Sequence, residues 1–238
     1  MLQDWTEESI RYLRCAAEHS GYYQRIAEKI VPRLPRESHV CDAGCGMGQL
    51  SAALLPHCRW VTAVDRSSAA LKDIKEKQYP NLTVLCGDIE ELAPAQPYDA
   101  MVFCLFGRIK DTLRIAAEQC SGPVFLIKRD ETAHCFSVGQ ESLGEFTAQH
   151  TLRSLEEWGI TCRMETFSLE FGQPLRSIED AERFLALYNR SPGKDLSREE
   201  VLQRLRQGET EDFPYYLPRR KKLCLFEFQA EDIPKENI

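Results

Sequence analysis

One stretch decides the fold of this chain: His39-Val-Cys-Asp-Ala-Gly-Cys-Gly-Met-Gly48. Its first residues read as an apolar β-strand that ends in an acid, Asp42, and residues 49–56 read as a helix. Between them three glycines stand at alternate positions, Gly44, Gly46 and Gly48. Glycine allows backbone torsions and close approaches that a Cβ atom would block, and a helix N-terminus presents free N–H groups. The stretch therefore predicts a strand–turn–helix unit that holds a nucleotide-like ligand.

Composition and charge are those of a soluble globular protein. The 238 residues are 43% hydrophobic and 28% charged, which suffices for one large domain with an ample core. The acidic, polar residues 1–8 do not resemble a secretory signal, and no apolar run approaches the roughly 20 residues of a membrane span. We expect a cytoplasmic protein with no membrane partner. The net charge of −7 disfavours nucleic acid, whose phosphates require cations.

The ten cysteines are scattered singly, and no C-x-x-C pair occurs. Several lie inside apolar runs, as small buried side chains do in a reducing compartment. Cys41 and Cys45 are four residues apart, but no third ligand follows at the spacing of a metal site. The sequence therefore predicts buried thiols and no metal.

Beyond the glycine turn, strand and helix patterns alternate along the chain. Predicted strands occupy residues 39–43, 60–64, 82–86, 100–105 and 124–128. Predicted helices between them occupy residues 49–55, 67–77 and 109–120. This alternation is typical of βαβ units, whose right-handed crossovers place helices on both faces of a parallel sheet. The fold class is therefore α/β, with a doubly wound sheet.

Further elements flank this alternating core. Two helices, at 5–17 and 22–34, precede the first strand. A helix at 141–158 follows the fifth strand, and strands at 161–171 and 223–228 are expected to pair antiparallel at one sheet edge. Between those two strands lies an insertion with helices that start at Ser177 and Ser197, each followed three residues later by an acid.

Acidic residues end three successive strands, Asp42, Asp65 and Asp88. In a parallel sheet these three carboxylates lie at the same edge, where open α/β sheets bind their ligands. Asp65 follows the glycine turn at the distance of about 20 residues from which an acid grips ribose hydroxyls. The pattern therefore indicates a ligand that contains adenosine.

Two details select among adenosine ligands. The glycines read G-x-G-x-G, and Gln49 stands where a dinucleotide fingerprint has its third glycine. Asp42, directly before the turn, would repel a pyrophosphate but suits a cation. The cationic adenosine cofactor with an amino-acid tail is S-adenosylmethionine, so this cofactor is favoured over NAD.

Over residues 36–130 the chain resembles the class I S-adenosylmethionine-dependent methyltransferases. The pieces that carry the resemblance are the turn at 39–48, the second strand end at 64–67, the third strand end at 86–89 and the fourth strand at 98–106. The resemblance is closest to the type 11 and type 25 small-molecule enzymes. It implies a Rossmann-like, mostly parallel sheet of seven strands with an antiparallel edge strand. Within a single methyltransferase domain we expect an N-terminal helical lid at 1–36, a core at 37–172 and 219–230, and a helical insertion at 173–218.

The resemblance also implies residue roles. Asp42, Ala43, Gly44 and Gly46 would frame the methionine part of the cofactor. Asp65 would bind the ribose, with Arg66 beside the adenine, and Asp88 and Ile89 would bind the adenine edge. Phe103 and Cys104 would form the floor near the sulfonium. His134, in the loop after the fifth strand, is the best-placed general base.

The acceptor must be inferred from residues outside the core. The fourth strand lacks the [DNS]-P-P-[YFW] motif of enzymes that methylate base amines, and no cysteine follows a proline, as in cytosine-C5 enzymes. We expect a small organic acceptor in an aromatic pocket with Tyr22, Tyr23, Tyr188 and Tyr215. The alternatives are an RNA or protein methyltransferase and a non-catalytic S-adenosylmethionine-binding subunit. The oligomeric state is not predicted.

Overall fold

A computed structural model describes residues 5–131, 136, 144–189, 191 and 195–234 of the chain. The chain divides into two compact units, each assembled from separate segments. The sheet unit comprises Tyr23–Asp130, Glu145–Phe167 and Leu223–Ile238. The insertion unit comprises Met1–Tyr22, Glu131–Gly144 and Ser168–Lys222.

The described residues form the following strands and helices. The strands are β1 (His39–Ala43), β2 (Trp60–Asp65), β3 (Leu82–Cys86), β4 (Ala100–Cys104), β5 (Pro123–Arg129), β6 (Arg163–Glu170), β7 (Gln173–Leu175), β8 (Arg206–Gln207), β9 (Tyr215–Leu217) and β10 (Arg220–Gln229). The α-helices are α1 (Glu7–Ser20), α2 (Tyr22–Ile30), α3 (Gln49–Leu54), α4 (Lys72–Glu76), α5 (Ile109–Gln119), α6 (Ala148–Glu157), α7 (Ile178–Tyr188) and α8 (Arg198–Arg204).

Seven strands form the main sheet, in the order β3-β2-β1-β4-β5-β10-β6. The first five are parallel, and Val40 of β1 lies opposite Val61 of β2 and Ala100 of β4. β10 runs antiparallel to β5 and lies between β5 and the outermost strand, β6. The predicted seven-stranded, mostly parallel sheet with an antiparallel strand near its edge is thereby confirmed.

The central strands are apolar along nearly their whole length, since helices cover both faces of a parallel sheet. The aromatic rings of Phe103, Phe125 and Phe226 are fully buried, each on a different central strand. Helix α5 contributes Ile109, Leu113, Ile115 and Ala116 to the core cluster that contains Phe103 and Phe226. This core fixes the positions of the strand ends, where the three predicted acids stand.

The two N-terminal helices are confirmed, with ends that local chemistry explains. The Thr6 side chain accepts a hydrogen bond from the Ser9 N–H and caps α1, which ends at Gly21 in the left-handed conformation. Helix α2 ends at Ile30 because Pro32 cannot continue its hydrogen-bond ladder, and one turn of 3-10 helix follows.

The helix expected at 67–77 is shorter than its pattern indicates, since only Lys72–Glu76 is α-helical. The Asp65 carboxylate accepts the Ser67 N–H, and the Ser67 hydroxyl accepts the Ala70 N–H. These side-chain bonds hold the residues after β2 in turns, because short polar side chains compete with the helix ladder for backbone groups.

The insertion unit is not purely helical, which corrects the expectation from the sequence. It contains α7 and α8 but also a three-stranded sheet, in the order β7-β9-β8. Strands of two or three residues are too short to show an alternating pattern, so they could not be predicted from the sequence. Both predicted helix starts are confirmed, with Ser177 capping α7 and a full capping box of Ser197 and Glu200 on α8.

Asp180 of α7 organises the insertion unit, although its side chain is only 2% exposed. Its carboxylate accepts hydrogen bonds from the Arg11 guanidinium at 2.7 Å, the Tyr12 hydroxyl at 2.9 Å and the Arg176 N–H at 3.0 Å. Burial by itself would raise the pKa of Asp180, but these donors hold it below its ordinary value. The buried charge is thus compensated by side-chain donors from α1 and by a backbone donor four residues before Asp180.

Within the described residues, no helix has the length and apolar character needed to span a bilayer.

Candidate functional site

The strand order of the main sheet reverses between β1 and β4, and open α/β sheets bind ligands in the crevice at such a switch point. The glycine turn follows β1 at this place. Gly44 has φ of 70°, and a Cβ atom built on it would lie 2.0 Å from the ring of Phe106. The turn therefore needs glycine at position 44 for its backbone torsion and for the close approach of this ring.

Asp42 is only 1% exposed and directs a carboxylate oxygen to the Ser51 hydroxyl of α3, at 2.5 Å. Burial raises the pKa of Asp42 to about 6, and the nearby Asp65 carboxylate adds to this effect, while the Ser51 hydrogen bond opposes it. Ser51 is a partner that the sequence analysis did not anticipate. Asp42 thus ties the strand end to the helix after the turn, and its expected action on a cofactor cation stays a prediction.

Asp65 connects the second strand end to the glycine turn. One carboxylate oxygen accepts the Gly46 N–H at 2.8 Å, and the other accepts the Ser67 N–H at 2.8 Å. A carboxylate can accept about four hydrogen bonds, so Asp65 keeps capacity for the two hydroxyls of a ribose. The structure thus places this predicted residue beside the predicted turn.

Asp88 and Arg66 form an ion pair at the same edge of the sheet. The Asp88 side chain also accepts the Glu90 N–H at 3.1 Å, which caps a turn of 3-10 helix. The Gly87 N–H donates to the Asp65 carbonyl at 3.0 Å, which holds the second and third strand ends together. Ile89, predicted to offer its N–H to adenine, has a buried side chain in the core.

The end of β4 forms the other wall of the crevice. Phe103 is fully buried in the core and Cys104 is half-buried at the strand end. The Phe106 ring stacks on the Phe103 ring with centroids 6.1 Å apart and planes 22° apart. The Phe106 ring occupies the space beside Gly44 that a Cβ atom would need, and the sequence analysis did not single this residue out.

Lys128 is a second residue that the sequence analysis missed. It lies near the carboxyl end of β5 with a side chain only 2% exposed. Its Nζ donates to the carbonyl oxygens of Phe106 at 2.8 Å and Gly107 at 2.9 Å. Burial lowers the pKa of Lys128 to about 8. The available signal was a lysine that continues the apolar run at 124–127 without a break in the strand pattern.

The predicted pocket residues differ in exposure and packing within their own units. His134 lies outside the described residues. Tyr22 is fully buried against Phe171, with ring centroids 4.4 Å apart, so it is a core residue of its unit and not the wall of an open pocket. Tyr23 is half-buried on α2. Tyr188 packs on Phe184 at 4.8 Å.

Tyr215 does line an open pocket, one that lies wholly within the insertion unit. The pocket has a volume of about 210 Å³, and its aromatic lining consists of His19, Phe213, Tyr215 and Tyr216. In the described parts of the chain, histidine, cysteine, aspartate and glutamate side chains form no group of three or more that could hold a metal.

Comparison with known proteins finds similarity in the core of the sheet unit. Residues 40–121 match the model of a methyltransferase domain family. The ubiquinone biosynthesis O-methyltransferase of Coxiella burnetii is 42% identical over 71 residues, which cover 28% of this chain and 30% of that protein. The malonyl-[acyl-carrier protein] O-methyltransferase of Priestia megaterium is 28% identical over 145 residues, or 53% of each chain. The chain thus spans about a third to a half of these relatives' length.

Solved structures show the same fold over most of the chain. A candidate methyltransferase of Bacillus halodurans C-125 is 14% identical, covers 87% of this chain and 98% of its own, and aligns with a TM-score of 0.54. The magnesium protoporphyrin IX methyltransferase of Synechocystis PCC 6803, solved with S-adenosylhomocysteine, is 15% identical over 91% of this chain and 85% of its own, with a TM-score of 0.50. Residues 40–121 are thus similar to a methyltransferase domain, and the main sheet that contains them has the fold of these solved structures.

Proposed function

We propose that this protein transfers a methyl group from S-adenosylmethionine to a small organic acceptor by in-line displacement. The observation that carries the proposal is the joining of Asp65 to the glycine turn through the Gly46 N–H, at the switch point of the sheet. This bond brings together the acid that we propose for the ribose and the turn that we propose for the amino-acid tail. The match of residues 40–121 to a methyltransferase domain supports the same conclusion.

The residues at this edge fit the cofactor. Asp65 would bind the ribose and Asp88 the adenine amino group, because both carboxylates retain capacity beyond their backbone donors. The backbone of the glycine turn would receive the methionine end. Bound S-adenosylmethionine would supply a methyl group already activated on a sulfonium. What remains for the protein is to align the acceptor and exclude water.

The acceptor atom that we propose is oxygen, because both named relatives are O-methyltransferases. A carboxylate acceptor is already ionised at neutral pH and needs no base, whereas a neutral hydroxyl needs one. His134 remains our proposal for that base. A net charge of −7 opposes the approach of RNA, which keeps an RNA methyltransferase as the less favoured alternative.

Calorimetry with S-adenosylhomocysteine tests the cofactor assignment. We expect the wild type to bind this product and not NAD. Asp65→Asn should weaken binding about 10- to 100-fold, because a hydrogen bond to a charged group contributes about 1.5–3 kcal/mol. Glu76→Gln, an exposed acid on α4, is the matched control and should leave the affinity unchanged. Binding of NAD alone would refute the assignment.

The acceptor is found by incubating the protein with a labelled methyl donor and a metabolite extract, followed by mass spectrometry. We expect label in one or a few small organic molecules and its loss with Asp65→Asn. Label that appears only in RNA or in protein would overturn the proposed acceptor class while leaving the cofactor assignment in place.

A further inference from the structure

A buried lysine without a carboxylate partner is costly, since burial disfavours the ammonium form. Lys128 is such a residue, because the hydrogen bonds of its ammonium group go to the backbone carbonyls of Phe106 and Gly107 and not to a carboxylate. Lys128 has no role in the methyl transfer that we propose above. Its place beside the crevice calls for a different explanation.

We propose that Lys128 is a positioning residue that clamps the turn at 105–107 and thereby holds the Phe106 ring against Gly44, shaping the methionine end of the cofactor site. The effect on cofactor binding rests on the proposed function. The clamp itself is a property of the fold, so it can be tested with no ligand present.

The turn that Lys128 contacts has an unfavourable backbone conformation that other contacts must stabilise. Leu105 has φ of 55° and Gly107 has φ of 61°, both in the left-handed region. For leucine this conformation is costly and persists only where the surroundings enforce it. The Leu105 N–H donates to the Ile127 carbonyl at 2.9 Å. Strand β5 therefore binds the turn both through its backbone and through the Lys128 side chain.

The held turn places an aromatic ring on the glycine turn. The Phe106 ring lies so close to Gly44 that a Cβ atom there would meet three of its carbons at 2.0, 2.5 and 2.7 Å. The Phe103 ring supports it from the β4 side. Without the two hydrogen bonds from Lys128, the turn would relax toward negative φ angles, and the Phe106 ring would lose its fixed place beside Gly44.

The charge on Lys128 strengthens the clamp. Hydrogen bonds from an ammonium to carbonyl oxygens are stronger than those from a neutral amine. The titratable groups around Lys128 are Cys104 of β4 and Asp111 of α5, and Cys224 of β10 lies opposite it in the sheet. Since burial brings the pKa of Lys128 to about 8, the clamp should weaken between about pH 7 and pH 9.

Hydrogen exchange without ligand is the direct test. Lys128→Met keeps the length and apolar stem of the side chain but loses its donors, and should raise the exchange of amides 103–110 about 10-fold or more. Lys110→Met, an exposed lysine on α5, is the matched control and should leave these amides unchanged. A folded Lys128→Met protein with wild-type exchange at 103–110 would overturn the proposal.

The wild type provides a second measurement in case Lys128→Met does not fold. Protection of amides 103–110, corrected for intrinsic rates, should fall as pH rises from 7 to 9, and constant protection would contradict the clamp. S-adenosylhomocysteine affinity should fall over the same range. If the amides respond but no S-adenosylhomocysteine binds at any pH, the clamp stands and the proposed function fails.

Discussion

Replacing Asp42 by asparagine should stabilise the protein at neutral pH, although it removes an acid from the first strand. The reason is the environment of this carboxyl, which is 1% exposed and whose pKa burial raises to about 6 from an ordinary value of 3.8. Above pH 6 the folded protein must keep a charge that the unfolded chain would solvate freely. Asparagine has nearly the same shape and can still accept from Ser51.

The sign and size follow from linkage. A raised pKa means that the folded state binds the proton more tightly, so the contribution to stability is complete below about pH 4 and is lost as pH rises through 6. A shift of about two units corresponds to about 3 kcal/mol. The asparagine variant escapes this loss, and its advantage over the wild type should grow from near zero at pH 4 to as much as about 3 kcal/mol above pH 7.

Urea unfolding of both proteins between pH 4 and pH 8 measures this difference. Parallel stability profiles for the wild type and Asp42→Asn would refute the reasoning, whatever their absolute values. Ser51→Ala is an informative companion variant. The Ser51 hydroxyl donates to Asp42 and lowers the pKa of that carboxyl, so the alanine variant should titrate Asp42 at a higher pH.

Two further substitutions test other parts of the structure. Gly44→Ala should destabilise the sheet unit by about 1–3 kcal/mol and weaken S-adenosylhomocysteine binding at least 10-fold, since its Cβ would collide with Phe106. Thermal melts and calorimetry measure both effects, and Gly87→Ala, which has open space around its Cβ position, should behave as the wild type. Asp180→Ala should cost about 3–5 kcal/mol by leaving buried donors without an acceptor, whereas exposed Glu179→Gln should leave the urea transition unchanged. Equal effects of the two acids would show that Asp180 does not organise its unit.

Much of the main sheet could be predicted because its signals are local. Each central strand is a short apolar run bounded by polar residues, and Asp42, Asp65 and Asp88 lie within two residues of the ends of β1, β2 and β3. Parallel topology then brings these ends to one edge without further information. The Asp65 bond to Gly46 is consistent with that reasoning.

What could not be predicted depends on contacts between residues distant in sequence. Lys128 reads as the polar end of a strand, and only the folded structure shows that its Nζ is enclosed by the carbonyls of Phe106 and Gly107. The sequence suggests that Asp42 is a free carboxylate, but in the structure it is buried and accepts a hydrogen bond from the Ser51 hydroxyl. The small sheet of the insertion unit consists of strands too short for any periodic pattern.

The contact between Gly44 and Phe106 has an evolutionary consequence. Because the ring fills the space that a side chain at position 44 would need, the two positions should not vary independently among related proteins. Relatives with a small residue at the position of Phe106 are those in which another residue could replace Gly44, at the further cost of its left-handed torsion. The pair would then appear as a covarying couple that links the first and fourth strands of the sheet.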